Sequence, residues 1–152
     1  MSHEFATTPD CEIISDRILN APVEKVYNAF ANPEHLKNWW GPNGFTNTIH
    51  EFDLRVDGKW RLTMHGPDKG NYNNESVFLK IIPNELIYWQ RVSKPLFQMA
   101  IIFNKITENT SKITFRMMFD SAEECNKIRP FAPEKNEENF DRLESELTKM
   151  TS

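Results

Sequence analysis

The chain has 152 residues and a mass of 17.9 kDa, the size of one ordinary domain and short of the length at which hydrophobic cores divide. Hydrophobic residues at 39% can fill a sizeable core and charged residues at 26% match an average soluble surface, which argues against wholesale disorder. A net charge of −4 and a pI near 5.6 leave no broad positive field to gather phosphates, so nucleic acid is not an expected partner.

After a polar leader, residues 11 to 19 read as a strand, stopped by Asn20-Ala21-Pro22, where Pro22 suits the first position of a helix. Val23, Val26, Tyr27 and Phe30 follow the helical apolar stripe, and Asn32-Pro33 ends that helix before a second brief one through Leu36. From Phe45 the period changes from 3.6 to 2. A strand over 46–54 is expected to pair with one over 59–65, with Asp57-Gly58 as a two-residue hairpin signal between them. Further strands are predicted over 77–82, 86–92, 97–103 and 113–119, each set off by turn residues, as an antiparallel meander. Phe140, Leu143, Leu147 and Met150 then mark an amphipathic helix of roughly four turns.

The order predicts an α+β fold of seven strands, with a curved antiparallel sheet wrapped around a long C-terminal helix and two short helices after the first strand. No repeat or linker divides the chain, so residues 1–152 read as a single domain with a core over about 10–150. Phe97, Met99, Ile101 and Phe103, with Ile113, Phe115, Met117 and Phe119, give the last two strands one wholly apolar face. That face needs a cover, and the last helix supplies it. The eleven Phe, four Trp and three Tyr are unusually many for this length and point to a shaped interior or a binding surface. A helix cannot fill a strongly curved sheet, so Met99 and Met117 are expected to border a cavity.

Cys11 and Cys125 lie far apart with no metal or redox spacing and read as two reduced thiols. The first twenty residues hold no apolar signal region and the longest apolar run, residues 99–103, is far too short to span a membrane, so a cytoplasmic protein is expected. His50-Glu51 is not a zinc motif, because position 54 is Leu, and the four His lack ligand spacing. Neither a metal nor a cofactor is expected. No nucleophile elbow, phosphate loop or dinucleotide fingerprint is present. His65 and Arg61 alternate with Trp60, Leu62 and Met64, so they face solvent unless a bulge turns them inward, where with Glu51 they could move protons. Trp39-Trp40 either closes the core and plugs its edge or places one ring at a cavity entrance.

Asn20-Ala21-Pro22, Asn32-Pro33-Glu34, Trp39-Trp40-Gly41-Pro42, Gly44-Phe45, His50-Glu51-Phe52-Asp53, Gly58-Lys59-Trp60-Arg61 and Met64-His65-Gly66-Pro67-Asp68 together resemble the START-like (SRPBCC) superfamily. More narrowly they resemble bacterial homologues of the C-terminal domain of the heat-shock-chaperone ATPase activator. The resemblance runs from about Asp10 to Met150 and implies a helix-grip fold of the birch-pollen-allergen kind around a hydrophobic cavity. Its lining or mouth would involve Trp39, Trp40, Phe45, Trp60, Met64 and Tyr88, then Met99, Phe103, Phe115, Met117 and Phe140. Glu51, Arg61 and His65 are the candidate polar residues. The chain departs from the family pattern at residues 69–74 and 128–133, both expected to edge the mouth. The superfamily includes lipid carriers, cyclases and chaperone activators on one scaffold. The readings this leaves are a carrier of a small hydrophobic or amphipathic molecule, a chaperone ATPase activator-like interaction module, and a cavity enzyme of the polyketide cyclase or isomerase kind. A monomer or weak homodimer is expected.

Overall fold

The computed structural model describes residues 11–94 and 96–150; the polar leader before Cys11 lies outside them. Strand β1 (Glu12–Leu19) is followed by helices α1 (Val23–Ala31) and α2 (Pro33–Trp39). Strands β2 (Thr46–Phe52), β3 (Lys59–His65), β4 (Asn71–Ile82), β5 (Leu86–Arg91), β6 (Gln98–Thr107) and β7 (Thr110–Met118) come next, then α3 (Ala122–Ile128) and α4 (Ala132–Lys149). The seven strands form one antiparallel sheet in the order β1-β7-β6-β5-β4-β3-β2, so β2 to β7 are a meander and β1 closes back against β7. Register shifts in β2, β4 and β6 bend the strands and tighten the twist. The curved sheet leaves a concave face that α4 crosses.

Local chemistry accounts for the helix boundaries. Asn32 ends α1 and caps α2, where its Oδ1 accepts a 3.0 Å hydrogen bond from the Glu34 N–H, and Pro33 at the first position needs no donor. Helix α3 was not expected, although Ser121-Ala-Glu-Glu carries the spacing of a capping box; the Ser121 hydroxyl accepts from the Glu124 N–H. Its apolar stripe is too short to register as helical. Helix α4 starts two turns before Phe140 and runs 18 residues, longer than the Phe140–Met150 stripe implies.

Two expectations about the strands are corrected. Asp57-Gly58 is not a two-residue hairpin: six residues, 53–58, join β2 to β3. Gly58 is needed instead for close approach, since a Cβ there would lie 2.0 Å from the Asp53 carbonyl oxygen. Strand β4 begins at Asn71 rather than Val77. Tyr72-Asn73-Asn74-Glu75 reads as loop because it is polar, yet it pairs in register with β3 from His65↔Asn71 to Lys59↔Val77.

The concave face carries Ile13, Leu19, Trp60, Leu62, Phe78, Ile87, Trp89, Ile101, Ile113 and Phe115, all buried under α1, α2 and α4. On the convex face of β2, β3 and β4 the side chains form cross-strand polar ladders. Thr48 Oγ1 and Asn71 Oδ1 bond the two ring nitrogens of His65 at 2.8 and 2.6 Å. Thr63 Oγ1 bonds His50 Nε2 and donates to Asn73 Oδ1.

Candidate functional site: an interior cavity with a polar corner

The space between sheet and α4 is largely filled by rings. Phe30 of α1 stacks on Trp89 at 5.5 Å between centroids and meets Trp39, Trp40, Phe52 and Trp60 edge-on. Trp60 lies parallel to Phe78, and Phe115 packs on Phe140 of α4 at 4.6 Å. Offset and edge-to-face contacts of this kind favour a fixed arrangement of bulky groups. Trp39 is fully buried and its indole N–H donates to the Ala29 carbonyl at 2.9 Å. It closes the filled end of the core.

The filling stops at the other end. A cavity of about 110 Å³ remains between β3–β7 and α4. At about 30 Å³ per water it has room for three or four waters or one small organic molecule. Trp40, Trp60, Leu62, Trp89, Phe97, Met99, Phe115 and Met117 supply its apolar wall, and Asn74, Ser76, Arg91, Asn136 and Asn139 its polar part. The polar residues come from three elements. Asn74 and Ser76 occupy inward positions of β4, Ser76 lies directly across the β4/β5 ladder from Arg91, and Asn136 and Asn139 sit one turn apart on α4. Asn136 donates to the Ser15 hydroxyl at 3.1 Å. Two buried polar atoms of the wall residues, Trp60 Nε1 and Asn139 Oδ1, have no hydrogen-bond partner. Burying an unmatched donor or acceptor costs about 1–3 kcal/mol. Among the described residues that line the cavity there is no carboxylate, imidazole or thiol. Larger hollows, among them one near α2/β2 and one on the outer side of β3/β4, are open surface grooves.

Arg91 stands at the end of β5, half-buried, and burial pushes its guanidinium down to about 10. Its Nε and Nη2 donate to the carbonyls of Ser93 and Lys94, each at 3.1 Å, and its guanidinium carbon lies 5.8 Å from the centre of the Phe97 ring. Trp40 is held from outside the cavity. Its carbonyl accepts from Asn47 Nδ2 at 2.9 Å and from Arg142 Nη1 at 3.1 Å. The same guanidinium donates to the carbonyls of Asn38, Gly41, Pro42 and Phe45, and burial lowers its pKa. Gly41 takes φ +94° in this loop, a conformation that favours glycine. Arg142 thus fixes the segment that carries the Trp40 wall.

The structure brings Trp40, Trp60, Met99, Phe115 and Met117 together around the cavity. It places the other expected residues elsewhere. Trp39 and Phe140 are filled core, Phe103 packs edge-on against Tyr27 of α1, Met64 touches the Gly41 turn, and Phe45 packs against Tyr72. Tyr88 faces the opposite side of the sheet, beside Leu86, Ala100 and Met118, with its hydroxyl donating to Gln98 Oε1. One residue of strand register sends it outward, since Ile87 and Trp89 take the inner positions. Glu51, Arg61 and His65, candidates for the cavity only if a bulge turned them inward, stay on the convex face, because the bulge lies in β2, not β3. Arg61 sits between Glu51 and Glu75, 3.7 Å from each, and His65 joins the Thr48–Asn71 ladder. Of the two departing stretches, 69–74 contributes Asn74 to the cavity, whereas 128–133 forms the α3–α4 connection and contributes none of its lining.

The residues that sequence reasoning missed are Leu62, Asn74, Ser76, Trp89, Arg91, Phe97, Asn136 and Asn139. The five polar ones continue apolar periodicities that are visible in the sequence: Asn74 and Ser76 precede Phe78 by four and two, Arg91 follows Trp89 by two, and Asn136 and Asn139 lie one turn before Phe140 and Leu143. Small polar residues on an otherwise buried stripe are the signal that could have found them.

Among the described residues no helix is long and apolar enough to cross a membrane, and no group of His, Cys, Asp and Glu is able to bind a metal. Among curated proteins, none matches the sequence. Solved structures do match the fold. A protein from Nitrosomonas europaea superposes with a TM-score of 0.85 at 18% identity, over 95% of this chain and 99% of that one. A solution structure from Arthrobacter aurescens gives 0.84 at 19% identity, over 94% and 89%. A protein named AHSA1 from Silicibacter pomeroyi gives 0.72 at 14% identity, over 90% and 97%. The sequence model of the family described as activator of Hsp90 ATPase homolog 1-like protein matches residues 20–148. The chain therefore belongs to the activator of Hsp90 ATPase homolog 1-like family of START-like (SRPBCC) proteins.

Proposed function

We propose that the protein is a non-enzymatic binder of a small amphipathic molecule, held in the cavity between the sheet and α4. The observation that carries this reading is the pairing, in one interior cavity, of an apolar wall with a polar part made by Asn74, Ser76, Arg91, Asn136 and Asn139. A ligand with a polar group beside an apolar body would meet both parts of this wall, whereas a purely apolar ligand would leave the polar part unmatched. The volume of about 110 Å³ is below the roughly 150 Å³ that admits benzene in an engineered cavity, so the space takes a short chain or part of a single ring, with the rest of the molecule at the mouth. Among the described lining residues none is an acid or base that titrates near pH 7, which supports binding over proton-transfer chemistry. Dye-displacement titration with a library of small amphiphiles, together with native mass spectrometry of protein exposed to cell extract, tests it. Retained small molecules and displacement by single-ring or short-chain amphiphiles are expected. No retained mass and no displacement by any member overturns it.

A chaperone-directed role has support from the family description alone. It predicts faster ATP hydrolysis by the cognate heat-shock chaperone, and an unchanged rate at saturating protein removes it.

A further inference from the structure

Arg91 is a cation without a counter-ion among the described residues. Its two hydrogen bonds go to neutral carbonyls through Nε and Nη2. A guanidinium has five N–H donors, so the Nη1 side keeps its donors open. Other arginines of this chain are matched differently. Arg17 on the concave face meets three carboxylates of α4, from Glu137, Asp141 and Glu144, and Arg116 pairs with Glu12. Arg142 is saturated by five carbonyls and lies outside the cavity. Arg91 alone lines the cavity, and Ser76, a hydroxyl, is its direct neighbour across the ladder. A half-buried charge at the rim of an apolar space is stabilised by an opposite charge brought into that space.

We infer that the ligand is a small carboxylate, whose oxygens accept from Arg91 Nη1 and the Ser76 hydroxyl while its ring or short chain lies among Trp40, Trp60, Trp89 and Met99. The planar guanidinium fork matches a carboxylate, and the polar wall offers one cation rather than the cluster a phosphate group needs. This inference rests on the binding reading above and adds the charge of the ligand.

The test uses a matched pair of probes on the intact chain at pH 7, phenylacetate and 2-phenylethanol, which differ in the ionised group and share the ring. Binding is followed by the indole N–H signals of Trp60 and Trp89, so that adsorption to surface lysines does not count. The carboxylate is expected to bind about 10- to 100-fold tighter than the alcohol, the range for a hydrogen bond to a charged group. In Arg91→Gln that preference should fall below about threefold with alcohol affinity retained, and Arg91→Lys should keep part of it. Equal affinities in the wild-type protein overturn the carboxylate assignment while leaving the binding site standing. Absence of indole shifts with either probe removes the binding reading, and this inference with it. Should Arg91→Gln fail to fold, the wild-type pair and Arg91→Lys decide the question.

Discussion

The two ends of the space under α4 are built on opposite rules. At one end Trp39, Phe30, Phe52 and Phe78 interlock, and the Trp39 N–H is satisfied by Ala29. At the other, Asn74, Ser76, Arg91, Asn136 and Asn139 occupy positions where the same strands and helix elsewhere carry apolar groups, and about 110 Å³ stays open. Dense packing makes the first end stabilising; unmatched buried polar atoms make the second end a cost to stability. A fold that tolerates such a cost in one corner while packing the rest tightly has the signature of a site.

Four substitutions probe that contrast, from the largest effect to the smallest. Phe30→Ala removes the ring that five other aromatics contact, and should cost about 3–5 kcal/mol in chemical denaturation; a loss under about 1 kcal/mol would mean that the filled end is not tightly packed. Arg142→Met strips the 38–45 segment of its shared donor, with an expected loss of about 2–4 kcal/mol and an altered tryptophan emission as Trp40 loses its fixed setting. An unchanged spectrum would show that the loop holds its shape without the clamp. Asn139→Leu works in the opposite direction. By removing the unmatched Oδ1 it should raise stability by about 1–2 kcal/mol and abolish displacement of a bound dye; a destabilised variant would show that the oxygen has a partner. Arg17→Gln, which breaks three ion pairs with half-exposed carboxylates, should cost about 1 kcal/mol or less and diminish further in salt.

Most of the fold was legible because each element has a strong period. The meander, the two short helices after β1 and the covering helix all follow from apolar spacing and Asn/Pro punctuation. Strand β4 was half missed for a physical reason that also hid the site: its first residues are polar on both faces, Asn73 and Glu75 outward and Tyr72, Asn74 and Ser76 inward, so alternation of apolar and polar residues does not reveal it. Aromatic abundance, together with the inward alternation of Met99 and Met117, located the interior and five of its lining residues. It did not separate filled from open space, since Trp39, Phe103 and Phe140 carry the same sequence signal as Trp40 and Phe115. Tyr88 shows the limit of composition without register, and His65 and Arg61 show that an alternating pattern, taken at face value, assigned the outer face correctly.

The central claim is that the polar corner receives a ligand while the filled end does not. The four tryptophan indole N–H signals report on both ends in one titration with phenylacetate. Trp60, whose Nε1 has no partner, should shift strongly with Trp40 and Trp89 beside it, and Trp39, bonded to the Ala29 carbonyl, should stay within the noise. Uniform shifts across all four, or none, would contradict the account.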